Sequence, residues 1–274
     1  MPELPEVEAT RRLIARSMVG ARIDAVDLRR PDLRRPFPRG FATRLTGRTI
    51  VSLTRRGKYL LALLSSGETL VMHLGMSGSF RTRRDTPGEA SPADPHDHVI
   101  FHMSTGRAVV FNDPRRFGVM DLIGPFASAR HSISHGLGPE PLSPAFDAAA
   151  LARACRGRRT SLKAALLDQR VLAGLGNIYA SEVLHVAGLS PRRPASTLAT
   201  RSGAPREAAH RLTAAIKQVL NRAIARKARD DYRSGRFLVY DREGGPCARD
   251  GCRGTIRRRI QAGRSTFYCP VCQR

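Results

Sequence analysis

The sequence predicts an α+β protein of several domains: a β-sandwich with a helix at its N-terminus, then a helical domain, then a small cysteine-bearing module. Three observations predict this order. Short apolar runs between turn residues fill the first half of the chain, a helical period dominates the second half, and four of the five cysteines lie near the end. We place the domain boundaries at 1–133, 134–236 and 237–274.

The first domain begins with a helical segment and continues as a series of strands. The helix should bury one face made of Val7, Leu13, Ile14 and Met18. Short apolar runs then predict single strands at 22–28, 69–74 and 118–123. Two longer runs, at 49–64 and 99–111, each predict a hairpin of two strands. So many short strands close most simply into two packed sheets.

Two polar segments interrupt the apolar pattern. Residues 82–97 are rich in Pro and Asp and predict an exposed loop, and residues 131–145 have the composition of a linker. Beyond the linker the 3.6-residue period predicts four helices, at 146–157, 161–169, 177–188 and 206–228.

The charge balance points to a polyanionic partner. The chain has 47 basic and 23 acidic residues, a formal net charge of +24, and 41% hydrophobic residues, enough for real cores. Such an excess of positive charge favours nucleic acid as the partner. We find no apolar stretch long enough to span a bilayer and no signal peptide, so we expect a soluble cytoplasmic protein with no membrane partner.

The first residues combine two prolines with acidic side chains. Initiator methionine is commonly removed before a small residue such as Pro2, which would leave a secondary α-amine, partly unprotonated at neutral pH. Such an amine can attack C1′ of a sugar and displace a base, and Glu3 can act as a general acid–base on the sugar ring. The alternative is structural, with Pro2 and Pro5 starting a helix whose dipole Glu6 and Glu8 complement.

The cysteine module has the spacing of a zinc site. Cys247 and Cys252 form a C-x4-C pair, and Cys269 and Cys272 form a C-x2-C pair sixteen residues later. Two such pairs can meet at one tetrahedral, structural Zn²⁺ within a zinc-finger β-hairpin, with two disulfides as the alternative. The remaining Cys155 is expected to be a buried helical thiol without a role.

Several motifs together resemble the formamidopyrimidine-DNA glycosylase (Fpg) family, and they occur in the family's order along the whole chain. They are MPELPEVEATRR, RRGKYL, HLGMSGSF, NDPRRFG, GPEPLSP, DQRVLAGLGNIYASEVL and the four-cysteine tail. The resemblance implies a helix–two-turn–helix within the helical domain. It also implies a monomer that acts on damaged double-stranded DNA in the bacterial nucleoid, with one structural zinc and no other cofactor.

The resemblance assigns the catalytic roles. Pro2 is implied to be the nucleophile, Glu3 its acid–base partner, and Glu6 a support of the site. Lys58 is implied to assist catalysis beside the lesion, and Arg264 on the zinc hairpin to act on the phosphates around the flipped nucleotide.

Three further residues are implied to fill the space that an everted nucleotide leaves in the duplex: Met76, Arg115 and Phe117. A methionine in the tight Gly75–Gly78 turn is unusual for a core residue. Arg115 and Phe117 are two residues apart, and on a strand they would point to the same face. Without the family, a core position is the more natural interpretation of Phe117.

A last group is implied to contact DNA around the lesion, and its members are His73, His98, Lys163, Asn177 and Tyr240. The Gly-Leu-Gly turn before Asn177 should also leave backbone N–H groups free for a phosphate at the start of a helix. The role of Glu182 in the NIYASE motif stays open.

The implied reaction is excision of an oxidised purine, a formamidopyrimidine or 8-oxoguanine, followed by β- and δ-elimination that cuts the abasic strand. The segment at 233–238, RSGRFL, is shorter than the loop that typically covers everted 8-oxoguanine, and Asp241 replaces the usual Gly. We therefore expect retained chemistry and a weakened preference for 8-oxoguanine. The alternatives are an endonuclease VIII-like glycosylase for oxidised pyrimidines and a non-enzymatic zinc-ribbon DNA-binding protein.

Overall fold

The computed structural model describes residues 1–85, 94–125, 136–228 and 237–274. Much of the predicted loop at 82–97, the start of the linker at 131–145 and most of the short segment at 233–238 lie outside these residues. The chain divides into two compact units. The first contains Met1, Pro2 and the described part of Glu6–His135, and the second contains Glu3–Pro5 and the described part of Gly136–Arg274.

The first unit is a sandwich of two antiparallel four-stranded sheets, as the sequence predicts. One sheet has the order β1-β6-β7-β5 and contains β1 (Ile23–Leu28), β5 (Ser79–Arg84), β6 (Asp97–Met103) and β7 (Arg107–Asn112). The other has the order β2-β3-β4-β8 and contains β2 (Ile50–Arg56), β3 (Tyr59–Leu64), β4 (Thr69–His73) and β8 (Val119–Ile123). The predicted hairpins are β2–β3 and β6–β7.

One apolar core joins the two sheets and the first helix. Phe101 and Phe111 from one sheet and Leu60 from the other belong to the same buried cluster. Helix α1 (Leu4–Met18) adds Val7, Ile14 and Met18 to that core. Leu13, which we expected on the same face, is 44% exposed, because one residue turns the helix by about 100° away from Ile14.

Strand β5 and the short helix α2 (Phe41–Leu45) are elements that the sequence pattern did not reveal. Strand β5 overlaps the predicted loop at 82–97 and pairs with β7, and it buries Phe80 against Phe111 with ring centroids 5.0 Å apart. Its other residues are mostly polar, so the apolar alternation that announces a strand is nearly absent.

An inner strand of the first sheet, β6, holds a histidine that lies between two carboxylates. His102 Nδ1 lies 2.6 Å from Asp85 Oδ2, and Nε2 lies 3.1 Å from Asp27 Oδ2. Burial alone lowers the pKa of His102, but the hydrogen bonds and negative charges of Asp85 and Asp27 outweigh it and raise the pKa above its ordinary value. His102 is therefore a group whose positive charge the fold stabilises.

We expect His102→Gln to destabilise the protein at low pH only. Because the folded pKa of His102 is raised, its contribution is complete below the unfolded pKa of about 6.5 and is lost as the pH rises through the folded pKa. The free energy of unfolding should fall by up to about 1 kcal/mol near pH 5.5 and be unchanged near pH 9. Urea titration at both pH values checks this, with the exposed His210→Gln as control. Equal effects at both pH values would exclude the charged pair as the cause.

The second unit contains the four predicted helices, here α3 (Ala148–Cys155), α4 (Leu162–Leu167), α5 (Asn177–Ala187) and α6 (Glu207–Ala228), with a 3₁₀ turn at Ala195–Leu198. Side chains cap two of them, since Asp147 accepts from the Ala150 N–H and Ser161 from the Ala164 N–H. The helices pack around one apolar core that includes Leu151, Leu166 and Leu212.

The same unit ends in the hairpin of β9 (Arg257–Gln261) and β10 (Arg264–Tyr268). Ala262 and Gly263 form its tip, and both have positive φ angles, of 47° and 71°, as a two-residue type I′ turn requires. In the described part of the chain, no helix is both long enough and apolar enough to cross a membrane.

Candidate active site and DNA-contacting residues

Glu3 lies in a cradle of backbone N–H groups at the start of α5. Its carboxylate accepts hydrogen bonds from Gly176 N at 2.8 Å, Ile178 N at 2.8 Å and Tyr179 N at 3.2 Å, and the residue is almost completely buried. The positive end of the helix dipole and three donors favour a negatively charged carboxylate. The N-terminal carboxylate is thus fixed in orientation by a helix far away in sequence.

Two glycines permit this close approach. A Cβ atom on Gly176 would lie 2.3 Å from Glu3 Cδ, and one on Gly174 would lie 2.7 Å from Leu4 Cδ1. Leu4 also donates its N–H to the Gly174 carbonyl at 3.1 Å. The Gly-Leu-Gly turn therefore receives the Glu3–Leu4 segment, which is why it lacks side chains at these two positions.

This finding corrects our expectation that the Gly-Leu-Gly turn leaves its N–H groups free for a phosphate. The amides of Gly176, Ile178 and Tyr179 bind Glu3 instead. A carboxylate satisfies the same donors and the same helix dipole as a phosphate does. Sequence spacing could not distinguish the two anions.

Lys163 and Asn177 both bind the zinc hairpin. Lys163 Nζ donates to the Ser265 carbonyl and to Thr266 Oγ1, each at 2.9 Å, and Asn177 Nδ2 donates to the same Ser265 carbonyl at 3.0 Å. Lys163 is fully buried. Burial and the neighbouring positive charge of Arg264 lower the pKa of Lys163 to about 8, although the negative charge of Glu3 opposes this shift. Both side chains thus hold β10 directly after Arg264, which is exposed.

Glu182, whose role the sequence left open, binds the segment before the zinc module. Its Oε2 accepts from Leu238 N at 2.8 Å, and its Oε1 accepts from Val239 N at 2.9 Å and Tyr240 N at 3.0 Å. The Tyr240 ring packs edge-on against Phe267, with centroids 5.2 Å apart. Glu182 therefore fixes the backbone that carries Tyr240, much as α5 fixes Glu3.

The four predicted zinc ligands meet at one point. The sulfur atoms of Cys247, Cys252, Cys269 and Cys272 all lie within 4.8 Å of one another, a spacing that suits four thiolates around one tetrahedral zinc. The four thiols are free, so the disulfide alternative is not the arrangement observed. The fifth cysteine, Cys155, is buried in α3, and burial raises its pKa to about 11, as expected for an inert thiol.

A histidine of α5 contacts this cluster. His185 Nε2 lies 3.2 Å from Cys247 Sγ. Burial, with the positive charges of Arg249 and Arg242, lowers the pKa of His185 to about 4, so the ring is neutral at pH 7. A neutral ring that carries its proton on Nε2 would donate to this sulfur, the arrangement that second-sphere histidines adopt beside metal ligands.

Pro2, Glu6, Lys58 and His73 belong to the first unit. Pro2 is half-buried at the start of the chain, Glu6 lies in the first turn of α1, and Lys58 lies in the turn between β2 and β3. Burial and the positive charges of Lys58 and Arg34 lower the pKa of His73 to about 4. His73 Nδ1 accepts from the Gly75 N–H at 3.0 Å, so the ring proton lies on Nε2, where it can donate.

The three residues expected to enter the duplex lie on two turns of the first unit. Met76 is 42% exposed and Phe117 is 39% exposed, so the core interpretation of Phe117 is wrong. Arg115 and Phe117 do not lie on a strand as we expected, because Asp113-Pro114 begins a turn and Arg116 has a positive φ angle of 55°. They are nevertheless neighbours, with the Arg115 guanidinium 4.8 Å from the centre of the Phe117 ring.

His98 does not share the exposure of these residues. It is buried in β6, and its Nε2 lies 3.0 Å from the Asp113 carbonyl oxygen, to which it donates. In this structure His98 supports the turn that carries Arg115 and Phe117. The sequence signal that could have shown this is its place directly before the apolar run Val99–Phe101, which extends the core strand back to His98.

Comparison with known proteins covers nearly the whole chain. A family model described as the formamidopyrimidine-DNA glycosylase N-terminal domain matches residues 1–120, one described as the formamidopyrimidine-DNA glycosylase H2TH domain matches 137–232, and one described as a zinc finger found in FPG and IleRS matches 244–274. The chain belongs to the formamidopyrimidine-DNA glycosylase family. The resemblance that the motifs indicated is therefore confirmed.

This chain is similar to Fpg-family relatives over the full length of both chains. A formamidopyrimidine-DNA glycosylase from a Bradyrhizobium species is 56% identical over 293 aligned positions, with all of both chains covered. A crystal structure of a mutant Lactococcus lactis Fpg with a DNA containing Fapy-dG is 31% identical, with a TM-score of 0.86 and full coverage of both chains. The wild-type enzyme with a DNA containing an oxidised pyrimidine is 30% identical, also with a TM-score of 0.86 and full coverage.

Family membership shows which class of enzyme the chain belongs to, and it bears on the metal that the four cysteines bind. An Fpg-family chain is a DNA-repair enzyme, a DNA glycosylase, and lyase activity at abasic sites is characteristic of the family. The zinc-finger match and the four adjacent thiols together fit one structural Zn²⁺, which confirms the cofactor that the cysteine spacing predicts. The non-enzymatic zinc-ribbon alternative has no support in these matches.

Proposed function

We propose that this chain excises oxidised purines from double-stranded DNA through the α-amine of Pro2 and then cuts the abasic strand on both sides of the lesion. The observation that carries the proposal is the cradle around Glu3. A carboxylate next to Pro2 in the chain is buried and held by three backbone N–H groups. Such preorganisation is what a general acid–base partner requires.

The first chemical stage joins the protein to the sugar. The lone pair of the Pro2 nitrogen forms a bond to C1′, and the electron pair of the glycosidic bond leaves with the base, which takes up a proton. The C1′ adduct becomes an iminium when the sugar ring opens and O4′ receives a proton. Glu3, ionised in its cradle, takes the proton that the Pro2 nitrogen loses and then gives it to O4′.

The second stage cuts the strand. Loss of a proton from C2′ of the iminium expels the 3′ phosphate, which is β-elimination. Loss of a further proton then expels the 5′ phosphate, which is δ-elimination, and hydrolysis of the iminium releases the sugar remnant and the free Pro2 amine. Apart from the water that hydrolyses the iminium, every step is a proton or electron-pair transfer within the adduct, so the proposal assigns roles to Pro2, Glu3 and Lys58 only.

The other predicted residues have supporting roles in this proposal. Met76, Arg115 and Phe117 fill the gap left by the everted nucleotide, and the exposure of both apolar members supports this. His73, with its ring proton on Nε2, can donate to a phosphate, as can the exposed guanidinium of Arg264. Lys163 and Asn177 also hold β10. For these two side chains and for Tyr240 we keep the role that the resemblance implies, contact with DNA around the lesion.

The partner in this proposal is damaged double-stranded DNA, bound by a monomer. The net charge of +24 suits a polyanion, and the proposal implies binding that weakens steeply with salt. The solved L. lactis relatives were crystallised with DNA containing Fapy-dG and an oxidised pyrimidine. Both kinds of lesion are therefore worth testing on this chain.

The length of the segment at 233–238 bears on the lesion preference. We keep the hypothesis that the short segment at 233–238 weakens the preference for 8-oxoguanine in favour of formamidopyrimidines, abasic sites or oxidised pyrimidines. The alignment with the Bradyrhizobium relative extends over 293 positions although this chain has 274 residues, so that alignment contains gaps in this chain. An endonuclease VIII-like preference for oxidised pyrimidines is the alternative that the same short segment favours.

Borohydride reduction should trap the protein covalently on duplexes that carry an abasic site or a formamidopyrimidine. Pro2→Gly should lower the trapped fraction on the order of 10²-fold or more, because the secondary amine and its fixed ring are lost. Intact mass must first show that Met1 is removed, since with Met1 attached the Pro2 nitrogen is an amide. Denaturing electrophoresis of labelled DNA measures the adduct.

The same assay ranks the lesions when duplexes with 8-oxoguanine and an oxidised pyrimidine are included under single-turnover conditions. Faster trapping on formamidopyrimidine than on 8-oxoguanine supports the hypothesis on the short segment, and a strong preference for 8-oxoguanine contradicts it. No adduct on any lesion, with Met1 shown to be absent, contradicts the proposed mechanism as a whole.

A further inference from the structure

Asp113 is a fully buried carboxylate between the two turns that carry the duplex-entering residues. One turn, Gly75–Gly78, contains Met76, and the other, which follows β7, contains Arg115 and Phe117. Asp113 itself has no place in the proposed chemistry. Its hydrogen bonds nevertheless reach both turns.

The bonds form a continuous chain across the two turns. Ser77 Oγ donates to Asp113 Oδ1 at 2.5 Å, and the Arg115 N–H donates to the same Ser77 Oγ at 3.2 Å. On the other side, the Gly118 N–H donates to Asp113 Oδ2 at 2.7 Å. Ser77 is the residue after Met76, and Gly118 is the residue after Phe117, so the chain fixes the backbone beside each exposed side chain.

The backbones of the two turns are also in direct contact. A Cβ on Gly75 would lie 2.3 Å from both the carbonyl carbon and oxygen of Phe117, which shows that the two backbones touch. The Asp113 backbone is held in turn, because its N–H donates to the His96 carbonyl at 2.9 Å and its carbonyl accepts from His98 Nε2 at 3.0 Å. This also gives the buried His98 a function, as a support of Asp113.

From this geometry we infer that Asp113 is a positioning residue that makes Met76, Arg115 and Phe117 one rigid probe, which enters the duplex as a unit. The inference rests on the proposed function, since that assigns these three residues to the duplex. A carboxylate is required because it only accepts hydrogen bonds, and both of its oxygens face donors. An asparagine of the same shape would turn its NH₂ group toward either the Ser77 hydroxyl or the Gly118 N–H.

The distinguishing experiment compares duplex and single-stranded DNA. Strand cleavage at an abasic site is measured under single-turnover conditions on a duplex and on the same strand without its complement, where there is no stack to enter. Asp113→Asn and the milder Ser77→Ala should each slow cleavage of the duplex on the order of 10- to 100-fold, because a buried donor loses its partner. Cleavage of the single strand should change by less than about twofold.

Ser104→Ala is the matched control. Ser104 also accepts a backbone N–H, from Arg22 at 3.0 Å, but it lies in the β6–β7 turn. Ser104→Ala should cleave both the duplex and the single strand at the wild-type rate. Equal slowing of duplex and single strand by Asp113→Asn, or no slowing on the duplex, would overturn the positioning role while leaving the proposed function intact.

A second readout does not depend on cleavage. A fluorescent base analogue such as 2-aminopurine, placed opposite the abasic site, reports entry of side chains into the stack when the protein binds. The wild-type signal change should be reduced at least about twofold in Asp113→Asn at saturating protein, and retained in Ser104→Ala. Identical signals in all variants would overturn the inference even if the wild-type protein cleaved no DNA.

Discussion

Gly176→Ala should reduce single-turnover base excision by about 10²- to 10⁴-fold, the range that loss of a general acid–base commonly produces. The new Cβ would lie 2.3 Å from Glu3 Cδ, closer than atoms can approach, so the carboxylate must leave its cradle. The carboxylate then loses the hydrogen bonds that it accepts from Gly176 N, Ile178 N and Tyr179 N. The variant leaves Glu3 chemically unchanged and alters only its placement.

Two comparisons make this prediction specific. Gly124→Ala adds the same methyl group where no atom lies within 4 Å and the backbone angle is ordinary, so it should excise bases at the wild-type rate. Glu3→Gln keeps the shape of the side chain and removes its charge, and it should be as slow as Gly176→Ala. Wild-type excision by Gly176→Ala, in a protein whose thermal unfolding is also unchanged, would show that the cradle is not needed.

Local patterns were sufficient for most elements of the fold. The β2–β3 and β6–β7 hairpins and the four helices of the second unit follow from apolar alternation and from the 3.6-residue period, which both act over a few residues. Strand β5 was not predicted, because arginines occupy positions where a half-buried strand usually has apolar residues. It is a strand because its backbone pairs with β7, a partner distant in sequence.

The candidate site was predictable in its residue types but not in its geometry. The cysteine spacing predicts the zinc cluster because both pairs lie on short turns. The cradle of Glu3 joins residues 173 positions apart, and no local signal marks which anion the Gly-Leu-Gly turn will bind. The turn at Asp113 was missed for a related reason, since its shape depends on a bond to Ser77, 36 residues away.

Removing one zinc ligand should have the largest effect on stability. The zinc module has a small apolar core, in which the fully or nearly buried residues are Val239, Ile256, Phe267 and Cys269. So few side chains cannot hold a hairpin by themselves, whereas a structural zinc contributes roughly 10–16 kcal/mol of binding free energy. Without the metal, we expect the β9–β10 hairpin to unfold while the sandwich of the first unit stays folded.

The consequence should reach beyond the module, because Lys163 is fully buried and its ammonium donates to Ser265 and Thr266 of β10. Loss of the hairpin would leave that charge without these acceptors, and a buried unpaired charge is strongly unfavourable. Asn177 would lose its bond to Ser265 as well. Zinc loss is therefore expected to loosen the start of α5, where Glu3 is held.

Cys269→Ala and Cys155→Ala form a matched pair for this prediction, since both cysteines are fully buried and only Cys269 belongs to the cluster. Cys269→Ala should lose its equivalent of zinc, measured with a metallochromic dye, and bind duplex DNA roughly 10²-fold more weakly in fluorescence anisotropy, because the hairpin arginines lose their placement. Cys155→Ala should keep one zinc per chain and its DNA affinity. If Cys269→Ala lost its zinc but kept its DNA affinity, the module would be stable without the metal, and the links from β10 to Lys163 and Asn177 would be strong enough to fold it. If it kept its zinc as well, Cys269 would not be a required ligand.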